Sequence, residues 1–206
     1  MTGIDAVVFD FGGVLLDWDP RHLYRKVIAE PAELEHFVNE VCPHSWHLQH
    51  DRGVPFAETL PVRQAAFPEH AELIGLWGSR YAEMIGGEVP GSAAVVDELR
   101  ALGVRLLGLS NLPAEVWPSL RAAWPIVADF EGVVVSGEEG VVKPDAAIFD
   151  LLVDRFGLDP ARTVFVDDVP ANVAGGQARG LHAIHFTDAA RLRTDLRDLG
   201  LAVAAP

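Results

Sequence analysis

The chain has 206 residues, is 50% hydrophobic and carries a formal charge of −14, which suits one α/β domain with a small insertion. That charge excludes a nucleic-acid or anionic-membrane surface, and an anionic substrate would need a local cation, either a bound metal or a positioned lysine. One cysteine, Cys42, excludes an internal disulfide and suits a reducing, cytoplasmic setting. No apolar run is long enough to span a membrane, and Met1-Thr2-Gly3-Ile4-Asp5 lacks the basic segment of a signal peptide.

The first predicted element is a buried strand, Ala6-Val7-Val8-Phe9. It delivers Asp10 to its C-terminal end, and Gly12-Gly13 then turn the chain. Ligands of open α/β sheets bind outside the carboxyl ends of strands. Asp10 is therefore placed to be a nucleophile or a metal ligand; the plain alternative is a turn-capping aspartate.

Residues 17–87 read differently. Amphipathic helical periods cover 21–30, 32–41 and 73–85, with no strand runs. The segment reads as a helical insertion, with Gly86-Gly87 and Pro90-Gly91 marking the return to the main pattern. The expected division is a core of residues 1–16 and 88–206 and a helical unit of residues 17–87. Within it His44, Trp46, His47, Gln49, His50, Asp51 and Arg52 cluster around a turn or short helix. They read either as a pocket wall or as a core tryptophan with surface histidines, and their spacing matches no standard zinc motif. Trp18 and Trp77 read as packing residues, and Cys42 as a small buried hydrophobe.

Beyond residue 87 strands and helices alternate. Strands are predicted at 105–109, 132–135, 162–166 and 182–186, and helices at 92–102, 113–123, 145–156 and 170–179. Gly103, Gly157 and Gly180 each follow a helix closely, as helix-ending glycines do. The pattern predicts an α/β fold with a doubly wound parallel sheet. After Asp188 a charged surface helix and a frayed Ala-rich end are expected.

Three more strand ends carry polar residues. Ser110-Asn111 precede Pro113 and suit a phosphate at a helix start, though both are also ordinary helix caps. Lys143 sits between Val141-Val142 and Pro144, at a helix start that the dipole makes unfavourable for a solvated lysine. Asp167 and Asp168 are adjacent carboxylates that repel unless a cation or donors compensate them.

In this order the segments Phe9-Asp10-Phe11-Gly12-Gly13-Val14, Ser110-Asn111, Lys143-Pro144-Asp145 and Val166-Asp167-Asp168 through Asn172 resemble the four motifs of the haloacid dehalogenase superfamily. The insertion resembles that family's helical cap. Asp17-Trp18-Asp19-Pro20 and Gln49-His50-Asp51-Arg52-Gly53 further resemble the glucose-1-phosphatase-like and epoxide-hydrolase amino-terminal phosphatase groups. The resemblance implies a Rossmann-like core and an Mg²⁺-dependent phosphatase with Asp10 as nucleophile. It also implies metal ligation by Asp10, the Gly12 carbonyl and Asp168, with Asp167 as a direct or water-mediated ligand. Ser110, Asn111 and Lys143, with the Gly12-Gly13 turn, would bind phosphate, and Asn172 would orient a metal-bound water.

The sequence departs from the family at Gly12, where most relatives carry an acid that protonates the leaving alkoxide. Asp17, Asp51 and His47 are candidate replacements. The implied partner is a small phosphorylated metabolite, a sugar phosphate among the candidates, handled by a monomer or homodimer. The alternatives are a metal-independent 2-haloacid dehalogenase and a catalytically weak binding or regulatory module.

Overall fold

The computed structural model describes residues 3–205. Five parallel strands form the sheet in the order β5-β4-β1-β6-β7. They are β1 (Ala6–Phe9), β4 (Arg105–Ser110), β5 (Gly132–Val135), β6 (Thr163–Asp167) and β7 (His182–His185). β1 lies at the centre, where Phe9 pairs with Gly108 on one side and Val166 on the other. Its four residues are at most 1% exposed, as expected for a strand covered on both faces.

Alternation splits the core. Val7, Phe9, Val164 and Val166 pack into one layer, and Ala6, Val8, Leu107 and Phe165 into the other. Both layers are covered by helices: α6 (Ser92–Ala101), α7 (Trp117–Ala123), α8 (Pro125–Ala128), α9 (Ser136–Glu139), α10 (Ala146–Phe156), α11 (Pro170–Gln177) and α12 (Ala189–Asp198). The layer containing Phe9 runs on without a break into the apolar interior of the helical segment. Among the described residues no helix is long and apolar enough to cross a membrane.

The helical segment holds α1 (Arg21–Tyr24), α2 (Pro31–His36), α3 (His44–Asp51), α4 (Phe56–Ala66) and α5 (Ala71–Ser79). A π-helical turn, Phe37–Val41, continues α2. Two short strands, β2 (Leu16–Trp18) and β3 (Ile85–Glu88), pair antiparallel at its two chain crossings. These strands correct the expectation of a strand-free segment. They are too short to show a period, and their pairing joins residues about seventy positions apart, so nothing local announces it. Gly86 lets this crossing pass close to the Asp17–His22 pair: a Cβ there would lie 2.6 Å from His22 Nε2 and 2.8 Å from Asp17 Oδ2 and displace those side chains.

Other boundaries differ for local reasons. The helix expected over 21–30 ends at Tyr24 and continues as turns, and Pro31 then holds Glu30 extended, so the helix cannot resume through it. The period expected over 73–85 ends as a 3₁₀ turn at Tyr81–Met84. α4 was not expected, since Pro61 lies inside it. Its missing N–H leaves the carbonyl of the exposed Ala57 to water. The stretch expected to fray is held through Ala204: Leu201 and Val203 are buried, and Ala204 N donates to Glu98 Oε2 at 2.9 Å.

Candidate active site

Parallel register brings the polar strand ends to one edge of the sheet. Asp10 follows β1, where its N–H still donates to Val166 O at 2.9 Å. Ser110 ends β4 and Asp167 ends β6, and both are buried. The loop after α9 carries Lys143 into the space between them.

Lys143 is 2% exposed. Its ammonium lies 2.8 Å from Asp10 Oδ2 and donates to Asp167 Oδ2 at 2.7 Å and Leu109 O at 2.9 Å. All three donors are thereby used. The lysine backbone is clasped by the Asn111 side chain, which accepts from Lys143 N at 2.9 Å and donates to Lys143 O at 3.1 Å. The Asn111 side chain thus positions the lysine, and only the Asn111 backbone N–H remains for a phosphate.

Asp167 is fully buried and saturated. Besides Lys143 it accepts from Val169 N at 2.8 Å and from Asn172 Nδ2 at 3.0 and 3.2 Å. Direct metal ligation by Asp167, one of the two roles expected for it, is therefore disfavoured. Asn172 spends its amide on Asp167 rather than on a water. Asp168 is partly exposed and lines the cavity with Asp10. A Cβ on Gly13 would fall 2.3 Å from Asp168 Oδ2, and Gly13 has φ +70°. Only glycine lets the chain pass this carboxylate.

Carboxylate oxygens of Asp10, Asp167 and Asp168 lie within 4.8 Å of one another. Three carboxylates thus face one ammonium. Burial pushes the Asp10 carboxyl up to about 7 against the pull of Lys143, with Asp167 and Asp168 adding to the rise. Burial and Asp167 raise Asp168 as well. Uncompensated negative charge beside hard oxygen donors fits a divalent cation.

Residues 4–180 match the haloacid dehalogenase-like hydrolase family. The chain is a haloacid dehalogenase-like hydrolase. It is 28% identical over 207 residues to a sesquiterpene phosphatase from Aspergillus oryzae, spanning 96% of this chain and 97% of the relative. A predicted hydrolase of the same family from Porphyromonas gingivalis superposes with TM-score 0.71 at 25% identity, over 95% of this chain and 97% of that one. A family member from Bacteroides thetaiotaomicron, solved with magnesium and inorganic phosphate, has the same fold: TM-score 0.68, 20% identity, 90% and 95% coverage.

In this hydrolase the strand ends open into a cavity of about 500 Å³. Asp10, Gly12, Gly13, Ser110, Asn111, Lys143, Asp168 and Asn172 line its floor. Phe11, Trp18, Leu48, Tyr81, Ile85 and Leu120 make much of the lining apolar. Trp18 thus faces the cavity rather than serving only as packing. Trp18 and Tyr81 carried no sequence signal for this role, because their positions depend on the pairing of β2 with β3.

α3 supplies the remaining polar wall through His44, His47 and Asp51. Asp51 is 2% exposed, and its Oδ1 has no hydrogen-bond partner among the described residues. Burial pushes its carboxyl up to about 7; the charge of Asp10 adds to the rise and Lys143 opposes it. His47 is held down to about 3 by burial. Trp77 Nε1 donates to its Nδ1 at 3.2 Å.

The other candidates lie elsewhere. Asp17 pairs with His22 at 2.9 Å and does not line the cavity. His50 lies 2.6 Å from Thr59 Oγ1, and Arg52 pairs with Asp145 at 3.2 Å. Trp77 and Cys42 are buried packing residues, as expected.

Proposed function

We propose that the chain is an Mg²⁺-dependent phosphomonoesterase whose nucleophile is Asp10. The observation that carries this reading is the strand-end floor, where three carboxylates cluster beneath a cavity and one buried ammonium pairs with only two of them. Asp10, Asp168 and the Gly12 carbonyl would hold Mg²⁺, which supplies positive charge to the phosphoryl oxygens. Ser110 Oγ and the Asn111 N–H would hold phosphate oxygens, and Lys143 restrains Asp10. Attack by Asp10 on phosphorus forms an aspartyl-phosphate and splits hydrolysis into two displacements. A dehalogenase reading is weaker, because without a metal the Asp168 carboxylate would stand beside Asp10 and Asp167 with no cation of its own.

The apolar lining supports a substrate whose organic part is apolar. The Aspergillus oryzae relative, a sesquiterpene phosphatase by name, points the same way. We therefore favour phosphate esters of apolar alcohols over the sugar phosphate that the His- and Trp-rich segment suggested. In this reading residues 17–87 form the cap and residues 1–16 and 88–206 the core.

The test is hydrolysis of p-nitrophenyl phosphate with and without Mg²⁺, beside Asp10→Asn and Asp168→Ala. Mg²⁺-dependent turnover lost in both variants supports the reading. A ligand at one hundred times its Kd stabilises a fold by about 2.7 kcal/mol, so Mg²⁺ should raise the Tm of the wild type and not that of Asp168→Ala. Turnover that survives Asp10→Asn would overturn the assignment.

A further inference from the structure

We propose that Asp51, on the helical segment, is the general acid and base of this phosphatase, in place of the aspartate that position 12 lacks. The inference rests on the phosphatase reading above and adds the residue that reading leaves unassigned.

Elimination within the cavity leads to it. Asp10, Lys143 and Asp168 are committed to nucleophile, restraint and metal. The remaining titratable side chains on the lining are His44, His47, Asp51 and Tyr81. His47 is neutral at physiological pH and holds no proton to spare. Burial raises the Tyr81 phenol well above its ordinary value, with the charge of Asp51 adding to the rise, so it is a poor acid. His44 is exposed at the start of α3. Asp51 alone combines near-complete burial, a place on the lining and an oxygen without a donor. A buried polar atom without a partner costs about 1–3 kcal/mol, so its retention needs a reason, and a substrate oxygen supplies one. Burial and Asp10 also keep a share of Asp51 protonated near neutrality, which is the condition for an acid that later serves as base.

The surroundings hold the group in place. Trp77 donates to His47 Nδ1, which puts the neutral ring's proton on Nε2. That atom stands 3.4 Å from Asp51 Oδ1 but outside hydrogen-bond geometry, so the ring braces the carboxyl and leaves this oxygen unpaired. The next turn of chain is pinned to the core: a Cβ on Gly53 would lie 2.7 Å from Gly137 O, Arg52 pairs with Asp145, and Phe56 N donates to Glu115 Oε2 at 2.8 Å.

The proton balance closes. As Asp10 bonds to phosphorus, the bond from phosphorus to the leaving oxygen breaks. Its electron pair stays on that oxygen, which takes the Asp51 proton and departs as the alcohol. Water then attacks the aspartyl-phosphate and gives a proton to the Asp51 carboxylate. The bond from phosphorus to Asp10 breaks, releasing inorganic phosphate and restoring both aspartates.

The test compares leaving groups. p-Nitrophenolate leaves without protonation, and hexanol does not. Asp51→Asn should lower hexyl phosphate turnover by about 10²–10⁴-fold. It should slow the first burst of p-nitrophenolate far less, and phosphoenzyme should accumulate. Gly12→Asp should restore hexyl phosphate turnover in the Asp51→Asn background at least tenfold. Position 12 has room for it, since a Cβ there meets only Trp18 Cβ at 3.9 Å. Equal losses on both esters, or hexyl phosphate turnover within threefold of wild type, would overturn the assignment. The wild type gives a reading that needs no variant: hexyl phosphate hydrolysis more than a thousandfold below the aryl ester would mean that no acid operates. Absence of any burst from the wild type with Mg²⁺ would instead remove the phosphatase reading, and this inference with it.

Discussion

Replacing Lys143 with methionine tests whether the buried ammonium holds the strand ends together. The methionine keeps most of the aliphatic stem but removes the charge that Asp10 and Asp167 share at 2.8 and 2.7 Å. Lys143 and Asp167 side chains are fully buried and that of Asp10 is 10% exposed, so water cannot replace the lost partner. Removing one member of a buried ion pair costs about 3–5 kcal/mol. At about 2–4 °C per kcal/mol for a chain of this size, Tm should fall by roughly 6–20 °C. The deficit should also depend on pH. Without the lysine the Asp10 carboxyl, which burial already raises, rises further in the fold and ionises on unfolding. Its folded value then lies above its unfolded one, so stability is lost as pH rises through that interval. Urea unfolding in a chelator, at pH 5 and pH 8, should show the larger deficit at pH 8. A deficit below about 1 kcal/mol, or one equal at the two pH values, would refute the reasoning.

Gly13→Ala should abolish Mg²⁺-induced stabilisation and turnover together, because its Cβ falls 2.3 Å from Asp168 Oδ2 at a backbone φ of +70°; retained Mg²⁺ response in a melting assay would contradict this. Ser92→Ala removes a 2.6 Å hydrogen bond to Val14 O that ties α6 to the first turn, and should cost about 1 kcal/mol in chemical unfolding with little change in KM. His47 should remain neutral down to about pH 5, because burial holds it at about 3. Its folded value lies below the unfolded 6.5, so the stability it contributes is complete above pH 6.5 and declines as pH falls toward 3. An NMR titration placing His47 above 6 would sink that account.

The parallel strands were legible because strands buried on both faces read as unbroken apolar runs, as Val133-Val134-Val135 and Val164-Phe165-Val166 do. The polar residue ending each run then marks the edge where ligands bind, so Asp10, Ser110 and Asp167 could be named from sequence. What each side chain does there was not legible. That Asn111 clasps Lys143, and that Asn172 and Lys143 saturate Asp167, depends on how loops from different strands meet. The helical segment was read least well. Its helices are short and interrupted by Pro31, Pro61 and Pro68, and its place over the strand ends is set by β2 pairing with β3. Asp51 and His47 were visible as candidates, but only burial and the shared cavity separate them from Asp17.

The close approach of Gly53 to Gly137 sets a lever. A Cβ on Gly53 would meet the Gly137 carbonyl at 2.7 Å, so a rotation of the helical segment that kept this approach would turn about it. α3 runs from Asp51, next to this point, out to His44. At 1.5 Å per residue the two are separated by about 10 Å along the helix. A rotation of about 10° would shift the His44 end by roughly 2 Å and Asp51 by well under 1 Å. The mouth of the cavity would then widen first at its exposed rim, while the carboxyl near the fulcrum would keep its station. Substitutions at His44, at the far end of the lever, would therefore reshape the rim without resetting the distance between Asp51 and Asp10.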